Sequence, residues 1–271
     1  MEAISRRNAL GIIGGTILGG TIAATTSFAQ VTSQKRFEQS GGPFSWTPHV
    51  LDAQECAPIA YDGYWENGWG CAYGAFYSIV GVMGEKHGAP YNSFPFTMLE
   101  VGKSGIADFG TICGALLGAA SAMALFWGRK ERNPMVAELF RWYEQTALPT
   151  YDPGSGAKGI PGKIPTSISQ SVLCHISVSK WCYETGLTEK SKERSERCAR
   201  ITASVAIKAI EIMNAKQKGS FIAVQADPKS IADCRQCHAP GKESDIFKGV
   251  MDCTPCHSGG EHSANKFVNH P

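Results

Sequence analysis

Two short runs near the C-terminus carry the most specific chemistry in this sequence. Cys234-Arg235-Gln236-Cys237-His238 and Cys253-Thr254-Pro255-Cys256-His257 are each a complete C-x-x-C-H motif, the pattern of covalent c-type haem attachment. Two thiols three positions apart meet the two vinyl groups on one porphyrin edge, and the adjacent imidazole swings under the iron as proximal ligand. The motifs therefore predict two c-type haems bonded through Cys234, Cys237, Cys253 and Cys256, with His238 and His257 on the irons. A four-thiolate zinc site competes with this reading, because Cys-x2-Cys-x15-Cys-x2-Cys falls at the lower limit of its spacing; paired disulfides are a third option. Neither needs the histidine that closes both motifs. With 15 residues between Cys237 and Cys253, the two porphyrins must sit close together and exchange electrons fast.

The sixth iron position separates a carrier from an enzyme, since a second protein ligand closes the iron and an open face admits substrate. Beyond the two proximal ligands, the chain holds His49, His87, His175, His262 and His270. His262 and His270 are nearest in sequence and are the first candidates for distal ligands. His49 and His175 rank behind them, and His87, beside Gly88, reads as a cation favoured at a helix end. No Ser-His-Asp or paired-carboxylate constellation stands beside the motifs, so no catalytic residue is assigned. Electron transfer is the leading function; reduction of a small oxidant at one open haem is the alternative.

The compartment follows from the other end of the chain. Ser5-Arg6-Arg7-Asn8-Ala9-Leu10 opens a glycine-broken apolar run, and Ser27-Phe28-Ala29 offers a cleavage site before Gln30. Residues 1–29 thus read as a twin-arginine signal peptide that delivers the chain to the periplasm. The competing reading, an uncleaved anchor, suits a run so rich in glycine and threonine poorly. Loss of Glu2, Arg6 and Arg7 takes the formal charge from +2 to +1, which makes no case for nucleic acid. The stretch 106–127 is interrupted by Asp108, so no stable membrane insertion is expected after cleavage.

Six further cysteines, Cys56, Cys71, Cys113, Cys174, Cys182 and Cys198, precede the motifs. An even set in an exported protein has three disulfides as its plain reading. Cys174 and Cys182, however, sit eight residues apart on one expected helix, about 12 Å along its axis, too far to bond each other. Twin-arginine export also serves proteins that fold around a cofactor before leaving the cytoplasm, and a thiolate-bound iron-sulfur cluster fits that need.

The elements that must position these groups read as mainly α. Helical spacing of apolar residues runs over 70–87, ending at Gly88; over 111–127, closed by Gly128; from Asn133 as cap and Pro134 in the first turn through 146; over 168–184, broken at Gly186; and over 191–216. The segment 149–165 has neither helical nor strand period and reads as a long loop, a class that is usually functional or flexible. After Gly219 the periodicity fades, and the last fifty residues cannot bury a core of their own. The expected organisation is a helical, cysteine-rich domain over 30–218 and a small irregular dihaem domain over 219–271.

The segments Gly70-Cys71-Ala72-Tyr73-Gly74, Phe109-Gly110-Thr111-Ile112-Cys113-Gly114-Ala115-Leu116, Leu173-Cys174-His175-Ile176-Ser177-Val178-Ser179-Lys180-Trp181-Cys182 and Arg197-Cys198-Ala199-Arg200 carry a further signal. With them the mature chain resembles the split-Soret cytochromes c and their haem-free relatives, the C-GCAxxG-C-C redox proteins, although Gly74 follows Cys71 by three positions instead of four. The resemblance implies a homodimer that serves redox partner proteins, with stacked bis-histidine haems and an axial histidine that the partner subunit can lend. It also implies a [2Fe-2S] cluster with ligands from among Cys71, Cys113, Cys174, Cys182 and Cys198. Since Cys174 and Cys182 are far apart on one helix, only one is expected to ligate: Cys182 first, because Gly186 turns the chain so that it can approach Cys198, with Cys174 as its substitute and Cys56 free or in reserve.

Overall fold

The computed structural model describes residues 46–245 and 249–257, all within one compact unit of the chain. The expected signal peptide over 1–29 and the candidate ligands His262 and His270 lie outside the described residues. Nine α-helices are described in these segments, with isolated bridges in place of any strand among the described residues. Among those helices none is long and apolar enough to cross a membrane.

Helix α1, Ala53–Trp65, begins where Asp52 accepts from the amides of Gln54 at 2.7 Å and Glu55 at 3.2 Å, a side-chain cap for otherwise orphaned donors. The sequence periodicity did not predict it, because its buried face is mostly alanine and Pro58 interrupts it. Pro58 is exposed, so water can reach the carbonyl its missing amide leaves behind. Helix α2, Gly70–Phe76, continues through a π turn, Tyr77–Gly81, into α3, Val82–His87, and stops at Gly88 with φ +73°. Small residues let these helices meet at backbone distance: a Cβ on Gly63 would stand 2.8 Å from Gly74 Cα, and one on Gly74 would stand 2.5 Å from the Ala60 carbonyl oxygen.

Helix α4, Gly114–Phe126, starts three residues later than its apolar run because Ile112 is drawn into a bridge with Leu173. Helix α5, Arg129–Gln145, starts earlier than the expected cap at Asn133: Gly128 stands in extended backbone and its carbonyl accepts from Glu131 and Arg132. Pro134 is carried inside the helix on an exposed face. Helix α6, Cys174–Thr185, holds both Cys174 and Cys182 and ends on left-handed Gly186. It begins later than the helical pattern at Ile168, because the Ser169 and Ser171 hydroxyls hydrogen-bond the local backbone and turn it instead.

Helix α7, Lys192–Gln217, capped by Ser191 Oγ on the Arg194 amide at 3.1 Å, is the central column. Ala199, Ala203 and Ala206 on it pack against Ala57, Ala60 and Tyr61 of α1. It also fixes the long loop that the sequence left unstructured. Glu196, fully buried, accepts from Tyr61 Oη at 2.9 Å, the Gly159 amide at 3.0 Å and Arg200 Nε at 2.6 Å. Arg200 in turn reaches Asp152 at 3.2 Å and the Ile160 carbonyl at 3.0 Å. The loop is thus anchored at both limbs by one buried ion pair.

Beyond residue 219 come α8, Lys229–His238, and α9, Thr254–His257, which carry the two C-x-x-C-H motifs. Of the described residues in this segment only Ile231 is buried, so its position rests on polar ties to α5. Glu138 accepts from the amides of Val224 at 2.9 Å and Gln225 at 2.8 Å. Arg141 pairs with Glu144 at 2.5 Å and Asp227 at 2.9 Å and donates to the Val250 carbonyl. One guanidinium therefore holds the approach to both motifs. Arg141→Met leaves Glu144 buried without its cation, which costs about 3–5 kcal/mol, and we expect faster limited proteolysis within 219–257. Adding Glu144→Gln should recover part of the loss; an unchanged cleavage rate in Arg141→Met would contradict this account.

Candidate metal centre and haem-attachment segments

The bridge between Ile112 and Leu173 builds the site. Cys113 N–H donates to the Val172 carbonyl at 2.8 Å, and Cys174 N–H donates to the Thr111 carbonyl at 2.6 Å. These bonds set the N-cap of α4, Cys113, beside the first residue of α6, Cys174. Cys71 enters from the first turn of α2 and Cys198 from α7. All four line one cavity of about 740 Å³. Cys113, at the N-cap of α4, lies against the Ala115 and Leu116 amides, which favour its thiolate.

The packing tolerates little change. A Cβ on Gly114 would stand 2.5 Å from Cys71 Sγ, and Cβ atoms on Gly105 and Gly110 would stand 2.9 Å from the Cβ of Cys174 and of His175. The rim between those glycines is a left-handed turn: Ser104, Ile106, Ala107 and Asp108 have φ between +50° and +63°, a conformation that costs about 1–2 kcal/mol per residue. It is tied by Gly110 N–H to Ser104 carbonyl and Thr111 N–H to Gly105 carbonyl.

Burial pushes the Cys71, Cys113 and Cys174 thiols up from the ordinary range, and neighbouring thiols push each of them further. Opposing this, Tyr143 and the first-turn amides of Ala115 and Leu116 act on Cys113, and Arg194 and Arg197 act on Cys174. Tyr143 Oη donates to Ser177 Oγ at 2.9 Å. Among the described residues no three His, Cys, Asp or Glu side chains close on a single ion. The thiols instead surround a larger space, which fits a polynuclear iron-sulfur group better than one bare ion.

The structure puts Cys174, rather than Cys182, with the other three. Both are on α6, and their eight-position separation displaces Cys182 by about 12 Å along the helix. Cys182 does not line the cavity. Cys56 lies in the hydrophobic core, its thiol pushed up to about 11 chiefly by burial. None of the ten cysteines is in a disulfide. His175 lines the cavity mouth. His49 and His87 do not: their rings stack at 3.7 Å, and His49 Nε2 lies 3.0 Å from Tyr91 Oη, which donates to the Thr47 carbonyl.

The two haem-attachment motifs also come together. The Cys253 thiol interacts directly with that of Cys234, so the leading cysteines of the motifs face each other. Ile222, Val224, Val250 and Met251 in the same segment are exposed. Arg194 and Tyr143 were not singled out from the sequence, and Ser177 and Arg197, though within the quoted segments, were given no role. Arg197 lies on the buried stripe of α7 directly before Cys198, and a cation in that position was the available signal.

Residues 73–212 match the family model described as a putative redox-active protein, C_GCAxxG_C_C. The chain is 57% identical over 263 residues to the split-Soret cytochrome c of Desulfovibrio desulfuricans, covering 96% of this chain and 94% of that one. It is also similar to a solved structure of the split-Soret cytochrome c from Desulfovibrio desulfuricans reported for a novel iron centre, with 60% identity, a TM-score of 0.81, and coverage of 87% of this chain and 100% of that one.

Because the Cys71, Cys113 and Cys174 thiols are held protonated at neutral pH, a metal must displace their protons. Anaerobic uptake of ferric iron and hydrosulfide by protein freed of non-haem iron should release about one proton per ligating thiol, beyond the one that each hydrosulfide gives up on becoming sulfide, and apparent affinity should rise with pH. Uptake without that further proton release, followed in weakly buffered indicator solution, would contradict the assignment.

Proposed function

Since the chain belongs to the split-Soret cytochrome c branch of the C_GCAxxG_C_C redox proteins, we propose that it is an exported electron carrier with two c-type haems and one [2Fe-2S] centre. Cys234, Cys237 and His238 would hold one haem, and Cys253, Cys256 and His257 the other. Cys71, Cys113, Cys174 and Cys198 would hold the iron-sulfur centre. His262 and His270 are the proposed distal ligands, one of them lent across a twofold homodimer. The periplasm is the proposed compartment and other redox proteins are the partners. Bound at these places, haem and iron-sulfur groups supply one-electron storage and exchange.

One observation carries the reading: α6 is shared by both redox segments. Cys174, Ser177 and Val178 line the larger cavity, whereas Ile176 and Lys180 face Thr254 and Pro255 across a second space of about 480 Å³. Ser179 borders both. The second haem-attachment motif therefore stands on the far side of α6 from the thiol cavity. The chain's part in electron transfer is to fix that arrangement and to leave the haem segment near the surface for a partner.

The haem assignment is tested by quantifying covalent haem in protein matured in its own periplasm. Two haems per chain are expected, and Cys253→Ser with Cys256→Ser should remove one and leave the other. Retention of both haems in the double variant, or their absence from the parent, would refute it.

A further inference from the structure

Among the described residues three arginines are buried, and two of them are matched by carboxylates. Arg141 meets Glu144 and Asp227, and Arg200 meets Glu196 and Asp152. Arg197, 1% exposed, forms no ion pair among the described residues. Its Nη2 donates only to hydroxyls, Ser167 Oγ at 3.2 Å and Ser177 Oγ at 3.1 Å. Its guanidinium carbon lies 5.6 Å from the centre of the Trp181 ring, and its Nε has no hydrogen-bond acceptor. A buried cation without an anion is costly unless something absent from the polypeptide supplies the charge.

Arg197 lines the same cavity as Cys71, Cys113, Cys174 and Cys198. Two ferric ions, two sulfides and four thiolates carry a net double negative charge, and one-electron reduction adds a third. We infer that Arg197 is the internal counter-cation of the iron-sulfur centre, a positioning residue that favours assembly of the centre and raises its reduction potential. The inference rests on the function proposed above. The cation also reaches the thiols through hydroxyls: Ser177 Oγ accepts from both Arg197 and Tyr143, and Tyr143 acts on Cys113. Arg194 adds a second, less buried charge beside Cys198, shared with Glu189 at 3.3 Å.

The test compares the full-length parent with Arg197→Met and Arg197→Lys, each isolated without oxygen and each after removal of non-haem iron by a chelator. In the loaded form, Arg197→Met should shift the reduced-to-oxidised ratio of the centre at least tenfold toward oxidised at fixed poise, about 59 mV for one electron. Arg197→Lys should stay near the parent, and covalent haem content should not change. Thermal unfolding gives an independent sign. Arg197→Met should lower Tm when iron is bound, and should leave it unchanged or raise it when iron is absent, because the variant no longer buries an unmatched charge. A structural role through Ser167 and Ser177 would lower Tm in both forms. An equal loss in both forms, failure of the methionine variant to fold in either form, or an unmoved potential with iron retained would overturn the role of Arg197 alone. A parent with haem but no non-haem iron would overturn the iron-centre assignment and this inference together.

Discussion

Two backbone hydrogen bonds, Cys113 to Val172 and Cys174 to Thr111, hold the thiol cavity together. They bring the N-termini of α4 and α6 side by side: the Ala115 and Leu116 amides of α4 act on the Cys113 thiol, whereas the Cys174 and His175 amides of α6 are bonded to the Thr111 and Gly110 carbonyls. The left-handed rim before Cys113 and the glycines that permit it are consequences of that approach, since the chain must turn sharply between the 3₁₀ segment Phe96–Gly102 and the bridge. Cys71 completes the wall only because residue 114 has no side chain to meet its sulfur. Changes at the bridge would therefore move several thiols at once.

Buried charge is used in two ways. The pairs Glu196–Arg200 and Arg141–Glu144 are closed within the protein and fix segments that have little apolar anchorage of their own, the loop over 149–165 and the stretch that carries the haem-attachment motifs. Such pairs add little net stability but specify where a segment lies. Arg197 is left open, and it faces thiols whose protonated state is favoured by burial. In the proposed loaded form those thiols become anionic, and the open cation acquires a purpose that a metal-free core would not give it.

Much of this was legible from residue types. Gly88, Gly186 and Ser191 mark helix ends where local backbone requirements are strict, and the structure places ends there. The two C-x-x-C-H motifs were readable because their spacing is itself the chemistry. The start of α6 was less visible, since Ser169 and Ser171 compete for the backbone and a bridge then intervenes. That shift decides between Cys174 and Cys182 for the cavity wall. Helix α1 was hidden by an alanine face, and the anchorage of the long loop depends on α7 side chains far away in sequence. Tertiary pairing, which local pattern does not encode, accounts for the bridge and for the loop's anchorage.

The central claim is that four thiols from separate helices hold an iron-sulfur centre next to the haem segment. Mössbauer spectroscopy of iron-enriched protein isolated without oxygen tests it most directly, because haem iron and sulfur-ligated iron give separate signals. The account predicts low-spin haem together with a sulfur-ligated class in about equal amount, the latter lost in Cys113→Ser with Cys174→Ser and kept in Cys182→Ser. A spectrum containing haem iron alone, or a sulfur-ligated class that depends on Cys182 and survives loss of Cys113 and Cys174, would contradict it.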